Sequence, residues 1–223
     1  MNMGLANRRA RPPVIIGRRQ AMAAGASFTL FAALAGCSVL QRVNTPVNLY
    51  TLTPKTTYPE GLPPVDWQLV VETPTCAASL DTPRIALQRT PLTFEYYADS
   101  AWTDNAPAMV QTLLIESFES TRRISGVGRE AIGLRPDYIL KTDLREFEAV
   151  YDGDNPIPTI WIRMNAKLVK LPERRIVASE TFGEKRPAAG SKLTDIVAAF
   201  DDALGFVFKR VVMFTLAAPK QQS

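Results

Sequence analysis

Between Thr159 and Lys170 every second position is apolar. Ile160, Ile162, Met164, Ala166 and Leu168 alternate with Arg163, Asn165 and Lys167. Side chains alternate across a strand, so this run predicts a strand with one buried face. Tyr138–Leu144 has the same period, with Tyr138, Leu140, Thr142 and Leu144 inward and Lys141 and Asp143 outward. After Arg145-Glu146 the apolar positions become Phe147 and Ala149, a phase change that predicts a bulge. Ile176–Phe182 repeats the alternation more weakly. Turns at Asp152-Gly153-Asp154-Asn155-Pro156 and Leu171-Pro172-Glu173 join the three runs into an antiparallel meander.

Two stretches have the helical period instead. Val110, Leu113, Leu114 and Phe118 share one face, preceded by Thr103-Asp104-Asn105 as caps with Pro107 in the first turn. Arg122 and Arg123 suit the C-terminal end of that helix, and Gly126 follows. From Lys192 to Thr215, with Ser191 as N-cap, Leu193, Ile196, Val197, Phe200, Leu204, Val207, Phe208 and Val211 form a second stripe. Asp201, Asp202, Lys209 and Arg210 would be costly in lipid, so this helix should lie on the sheet rather than span a membrane. Shorter strands are expected at Trp67–Glu72, Arg84–Gln88 and Thr93–Tyr97. Prolines at 46, 54, 59, 63 and 64 disfavour helix and interior strand, so residues up to about Asp66 read as an extended tether. Asn48–Leu52 within it reads as a docked edge strand. The expected fold class is α+β: a mainly antiparallel sheet with two amphipathic helices packed on one face.

The apolar run Ala21–Ala35 differs from all of these. It follows five arginines, has no charge and is about 15 residues long, short of the ~20 that span a bilayer. Basic region followed by short apolar region is the order of a secretory signal. The run ends at Leu34-Ala35-Gly36-Cys37. One reading is a short buried helix whose cysteine is a small hydrophobe. The other is removal of residues 1–36 and attachment of lipid to the Cys37 thiol, because the four residues resemble the bacterial lipobox. Ser38 after the cysteine then leans towards the outer membrane. Arg18-Arg19 leaves twin-arginine export open beside the ordinary route.

Charge changes meaning once it is mapped. The chain has 26 basic and 22 acidic residues, a net +4, but residues 1–37 hold five arginines and no acid. The remainder has 21 basic residues against 22 acidic ones, so nucleic acid is not an expected partner. There is no histidine, which excludes the ordinary Ser-His-Asp and Cys-His catalytic groups and every histidine-containing metal site. Cys76, the second of two cysteines, has no intrachain partner if Cys37 is lipidated; it reads as a half-buried small side chain.

Other combinations invite chemistry only weakly. Asp152-Gly153-Asp154-Asn155 has calcium-type residues, but Pro156 and Pro158 stand where a calcium loop needs its later ligands, so a hairpin turn is expected. Gly126-Val127-Gly128 lacks the third glycine of a dinucleotide loop and is read as the end of a helix. Glu95-Tyr96-Tyr97 with Trp102 places aromatics beside a carboxylate, as sugar clefts do, yet a strand whose rings pack on the core explains them as well. Asp143, Glu146 and Glu148 are read as solvent-face partners of Lys141 and Arg145. No catalytic, metal or cofactor residue is assigned.

Three blocks, in this order after the lipobox and Tyr50-Thr51-Leu52, have a family likeness. They are Leu80-Asp81-Thr82-Pro83-Arg84-Ile85-Ala86-Leu87, then Glu95-Tyr96-Tyr97-Ala98-Asp99-Ser100-Ala101-Trp102, then Asp137–Glu148. Together they resemble the auxiliary lipoproteins of ABC-type transporters. The resemblance implies a non-enzymatic lipoprotein accompanying a substrate-binding protein of the mammalian-cell-entry (MCE) type, a permease and an ATPase in lipid transport. It also implies a domain similar to the N-terminal domain of TolB, and acylation at Cys37. The expected layout is signal peptide 1–36, lipidated cysteine and tether 37–66, and auxiliary domain 67–223, on the periplasmic side of the envelope. A homo-oligomer is compatible with this, and the alternative function is a structural lipoprotein bridging membrane and cell wall.

Overall fold

The long strand β7 (Tyr138–Val150) organises the molecule. The computed structural model describes residues 46–130 and 135–218. The segment 1–36 expected to be a signal peptide and Cys37 lie outside these residues. Along one edge β7 pairs over its whole length with β8 (Thr159–Lys170), which pairs in turn with β9 (Arg175–Pro187), both antiparallel. This is the expected meander. The register shifts between Leu144 and Glu146, at the phase change, so Phe147 and Ala149 return to the inner face.

The other edge of β7 corrects the expectation of a mainly antiparallel sheet. Three strands share it end to end: β2 (Val65–Val71) at Tyr138–Leu140, β3 (Thr75–Cys76) at Asp143–Leu144, and β4 (Arg84–Gln88) at Ala149–Val150. All three run parallel to it, so the nine-stranded sheet is mixed. Beyond β4 lie β5 (Glu95–Trp102), antiparallel, and then β1 (Asn48–Tyr50), parallel. Beyond β2 lies β6 (Ile124–Gly128), also parallel. Helix α1 (Ala106–Thr121) carries the chain from β5, near one end of this strand order, to β6 at the other. Alternation of apolar residues reports which face is buried but says nothing of strand direction.

Helix α2 (Leu193–Ala217) packs on β8 and β9 and touches α1. Ile160, Ile162, Met164, Ala166 and Leu168 of β8 are fully buried beneath it, against Phe200, Leu204, Val207, Phe208 and Val211. Burial of each large side chain contributes roughly 1.5–3 kcal/mol. At the centre Trp102 meets Phe147 and Phe200, with ring centroids 5.8 and 5.2 Å away, and Phe147 lies 5.2 Å from Phe200. One ring comes from β5, one from β7 and one from α2, so this cluster fixes the helix on the sheet.

Local chemistry at the helix ends departs from the sequence expectation. Asn105 is the N-cap of α1 by position, but its side chain does not cap. Its amide donates to the Asp81 carboxylate at 3.1 Å, while its own N–H donates to the Asp104 carboxylate at 2.7 Å. The N-cap of α2 is Lys192 rather than Ser191, again without a side-chain bond. Arg122, not a glycine, ends α1 in the left-handed region at φ 52°. Gly126 and Gly128 lie inside β6, a strand the sequence did not announce.

The proline-rich segment is extended, and it is tied down. After β1, Leu52 enters the core. The N–H and hydroxyl of Thr53 donate to Asp201 of α2 at 2.6 and 2.8 Å. The Lys55 N–H donates to Ser117 Oγ of α1 at 2.9 Å, and the Lys55 carbonyl accepts from Ser120 and Tyr58. Tyr58 also donates to the Ser117 carbonyl at 2.9 Å, and burial pushes its phenol up to about 12. The segment forms a strap across both helices.

Candidate functional site

With α2 on one face of the meander, the opposite face is free to carry polar rows. On it Glu146 stands across from Arg163, and Glu148 across from Trp161, which is itself across from Lys185. The Arg163 guanidinium donates to the Glu146 carboxylate and lies 5.5 Å from the centre of the Trp161 ring. Lys185 Nζ lies 4.2 Å from that centre on the neighbouring strand. Cations over an indole are favourable contacts, worth about 0.5–1 kcal/mol where water reaches them.

Glu148 is not the solvent-face residue the sequence suggested. It is 1% exposed. Burial pushes its carboxyl up to about 8; the Phe147 N–H, donated to it at 2.5 Å, opposes this, Glu146 adds to it, and Arg163 again opposes it. At neutral pH Glu148 therefore carries a proton, which it can donate to Glu146. Of the other pairings expected on this face, Arg145 with Asp143 is formed, at 2.9 Å, whereas Lys141 pairs with Glu72, just past β2, at 2.7 Å. Sequence reasoning missed the burial because Glu148 follows the bulge, and its cover comes from other strands. The one available signal was a carboxylate on a strand flanked by Phe147 and Ala149.

A second feature is the cleft between α1 and β6, about 400 Å³. Ile115 and Val127 supply its apolar part, and Glu116, Glu119 and Arg129 its rim. Arg129 donates to Gln111 Oε1 at 3.2 Å and to the Thr112 hydroxyl, which fixes it to α1. Strand β6 pairs only with β2 among the described residues, leaving its outer edge beside this cleft. The strands β1 and β9 likewise have one neighbour each among these residues. Unpaired strand edges are places where another chain adds a strand.

The residues singled out in the sequence are mostly committed to the fold. Tyr96 donates to the Ser79 carbonyl at 2.9 Å, Tyr97 shares a 2.8 Å hydrogen bond with Tyr151, and Trp102 is in the core. Burial, then Tyr151, raises the Tyr97 phenol. Glu95 pairs with Arg89 at 3.8 Å. Arg89 lies over the Tyr151 ring at 4.7 Å, so Glu95, Arg89, Tyr151 and Tyr97 are joined in one chain of contacts. Cys76 is half-buried in β3, and burial, with Asp81 and Asp143 nearby, raises its thiol. Asp152 to Asn155 form a hairpin turn with Gly153 at φ 55° and the Asn155 N–H on the Asp152 carbonyl. Among the described residues no helix is long and apolar enough to cross a membrane. The three sequence blocks fall on β4, β5 and β7, which are neighbours in the sheet, so their shared order is first of all a requirement of one sheet region.

A family model described as the ABC-type transport auxiliary lipoprotein component matches residues 49–212, and the chain belongs to that family. The family is an auxiliary component and not a catalytic one. Its matched region begins in β1, so it takes in the strap. The crystal structure of protein XCC0632 from Xanthomonas campestris is 34% identical, with a TM-score of 0.74 over 79% of this chain and 98% of that one. A second solved structure, of an uncharacterized protein, shares the fold at 13% identity with a TM-score of 0.59, over 75% of this chain and 97% of that one. The uncharacterized protein bll6063 of Bradyrhizobium diazoefficiens is 30% identical over 156 residues, 67% of this chain. The chain spans 40% of the length of that curated relative.

Proposed function

We propose that the protein is a lipid-anchored periplasmic accessory component of an ABC-type lipid transport system of the MCE kind. It acts by docking and not by catalysis. The observation that carries this reading is the family match over residues 49–212, with Leu34-Ala35-Gly36-Cys37 just ahead of it. In this reading residues 1–36 are removed and Cys37 carries the lipid, each buried methylene contributing about 0.8 kcal/mol to anchoring. Nine residue steps separate Cys37 from Pro46, so even fully extended they hold the start of the strap within about 30 Å of the acylated cysteine. The outer membrane is the preferred location.

The partner is an MCE-type substrate-binding protein, and through it a permease and an ATPase. Apolar cargo is costly to expose to water, so a protein tied to the bilayer and bound to the carrier shortens the aqueous path. The unpaired edges of β1, β6 and β9, and the cleft beside β6, are surfaces on which a carrier or further copies of this chain can add. Crosslinking in cells from photoreactive residues at exposed positions of β6 and β9, followed by mass spectrometry, tests the docking. Recovery of an MCE protein supports it, and its consistent absence overturns it. Mass spectrometry of the native N-terminus tests the anchor separately: an intact N-terminus at Met1 or a free Cys37 thiol refutes it.

A further inference from the structure

The strap and helix α2 enclose a notch of about 260 Å³ lined by Lys55, Thr57, Tyr58, Pro59, Phe206 and Lys209. We infer that this notch binds the phosphate headgroup of an anionic phospholipid at a membrane surface, with Phe206 entering the interface beside it. The chemistry is complementary on both counts. Lys55 and Lys209 supply two ammonium groups, and neither has an ion-pair partner among the described residues. No carboxylate lines the notch. The adjoining hollow, which Lys55 and Phe206 also line, is bordered by two acids: Asp201, which accepts both bonds from Thr53, and Asp202. Phe206 is 45% exposed, uncommon for a ring on a helix whose other face is buried core. The Arg186 guanidinium lies over it at 4.0 Å and is paired with Glu184 at 3.0 Å, while Arg210, one helical turn on, donates to the Gly183 carbonyl at 3.3 Å and lies over the Phe182 ring. Two ammonium groups without an ion-pair partner among the described residues thus share a notch with one exposed aromatic ring, on a chain that beyond residue 37 has 21 basic residues against 22 acidic ones.

The notch is built rather than incidental. The Lys55 backbone is fixed by Ser117, Ser120 and Tyr58, and its side-chain stem crosses α2 at Gly205, 3.7 Å from where a Cβ there would stand. The volume is smaller than the ~300 Å³ at which pockets begin to enclose whole ligands, so a headgroup fits and an acyl chain does not. A cation at an anionic membrane surface gains about 1 kcal/mol, and an interfacial aromatic adds apolar contact.

The inference rests on the reading that the protein resides at a membrane face, and the two fail separately. The protein, extracted from membranes with whatever anchor it carries, is placed in vesicles of phosphatidylcholine alone or with about 30% phosphatidylglycerol. Flotation with neutral vesicles reports the anchor. Lysine acetylation read by mass spectrometry reports the notch. Labelling of Lys55 and Lys209 should fall about fivefold with phosphatidylglycerol present, while Lys167 on the helix-free face changes little. Equal labelling in both vesicles overturns the inference. Protection by inorganic phosphate in neutral vesicles, to the same degree, overturns it in favour of a free anion. Protection that depends on protein concentration and not on lipid overturns it in favour of a second copy.

Discussion

Replacing Glu148 by glutamine should make the protein more stable, and increasingly so as pH rises. The native carboxyl holds its proton up to about pH 8, whereas an unfolded glutamate releases it near 4.5. Between those values the native state binds more protons than the unfolded state, so raising the pH favours unfolding. The stabilising protonated form is fully present below about pH 4.5, and the loss is complete above about 8. At about 1.4 kcal/mol per pH unit the ceiling on this loss is about 5 kcal/mol. Arg163 and some entry of water will soften it, and we take about 2 kcal/mol as the part that glutamine recovers. Glutamine keeps an acceptor for the Phe147 N–H and a donor towards Glu146, has nearly the same volume, and does not titrate. For a domain of this size about 2 kcal/mol corresponds to about 4–8 °C in Tm. Thermal melts of Glu148→Gln and the parent, from pH 5 to 8.5, should coincide near pH 5 and separate by that amount at pH 8. A separation that does not change with pH, or a variant less stable at pH 8, would refute the account of the buried carboxyl.

Trp102→Ala should cost about 3–5 kcal/mol in urea unfolding, because it opens a cavity between Phe147 and Phe200; Trp161→Ala, on the other face, should cost about 1 kcal/mol. Asp201→Ala removes the acceptor of two Thr53 hydrogen bonds and should lower stability by about 1–2 kcal/mol, with proteolysis within residues 46–66 accelerated. If the strap were a free tether, neither would change. Arg122→Gly should stabilise by about 0.5–1 kcal/mol in the same melts, since a left-handed C-cap suits glycine and the arginine side chain is exposed. An unchanged or lower Tm would show that the arginine side chain contributes there.

Much of this molecule follows from the chain read as a pattern. The three meander strands, the bulge after Leu144 and the stripes of both helices were legible because each element buries one face. Burial of one face imposes a period that no neighbour needs to supply. The candidate lipid site at Cys37 is likewise a local signal, four residues at the end of a short apolar run. Other features depended on partners distant in sequence. Strand direction along β7 was set by where β2, β3 and β4 happen to lie, and alternation carries no arrow. β6 was hidden because two of its five residues are glycines without side chains to alternate. The caps failed as predicted because Asn105 found Asp81, 24 positions away, a better partner than its own helix. Glu148 looked like a surface carboxylate until β8 covered it, and the proline-rich strap looked free until Ser117 and Asp201 bound it. The chain alone determined which faces would be buried; only the tertiary structure decided which polar groups were buried with them, because desolvation depends on what arrives from elsewhere in the fold.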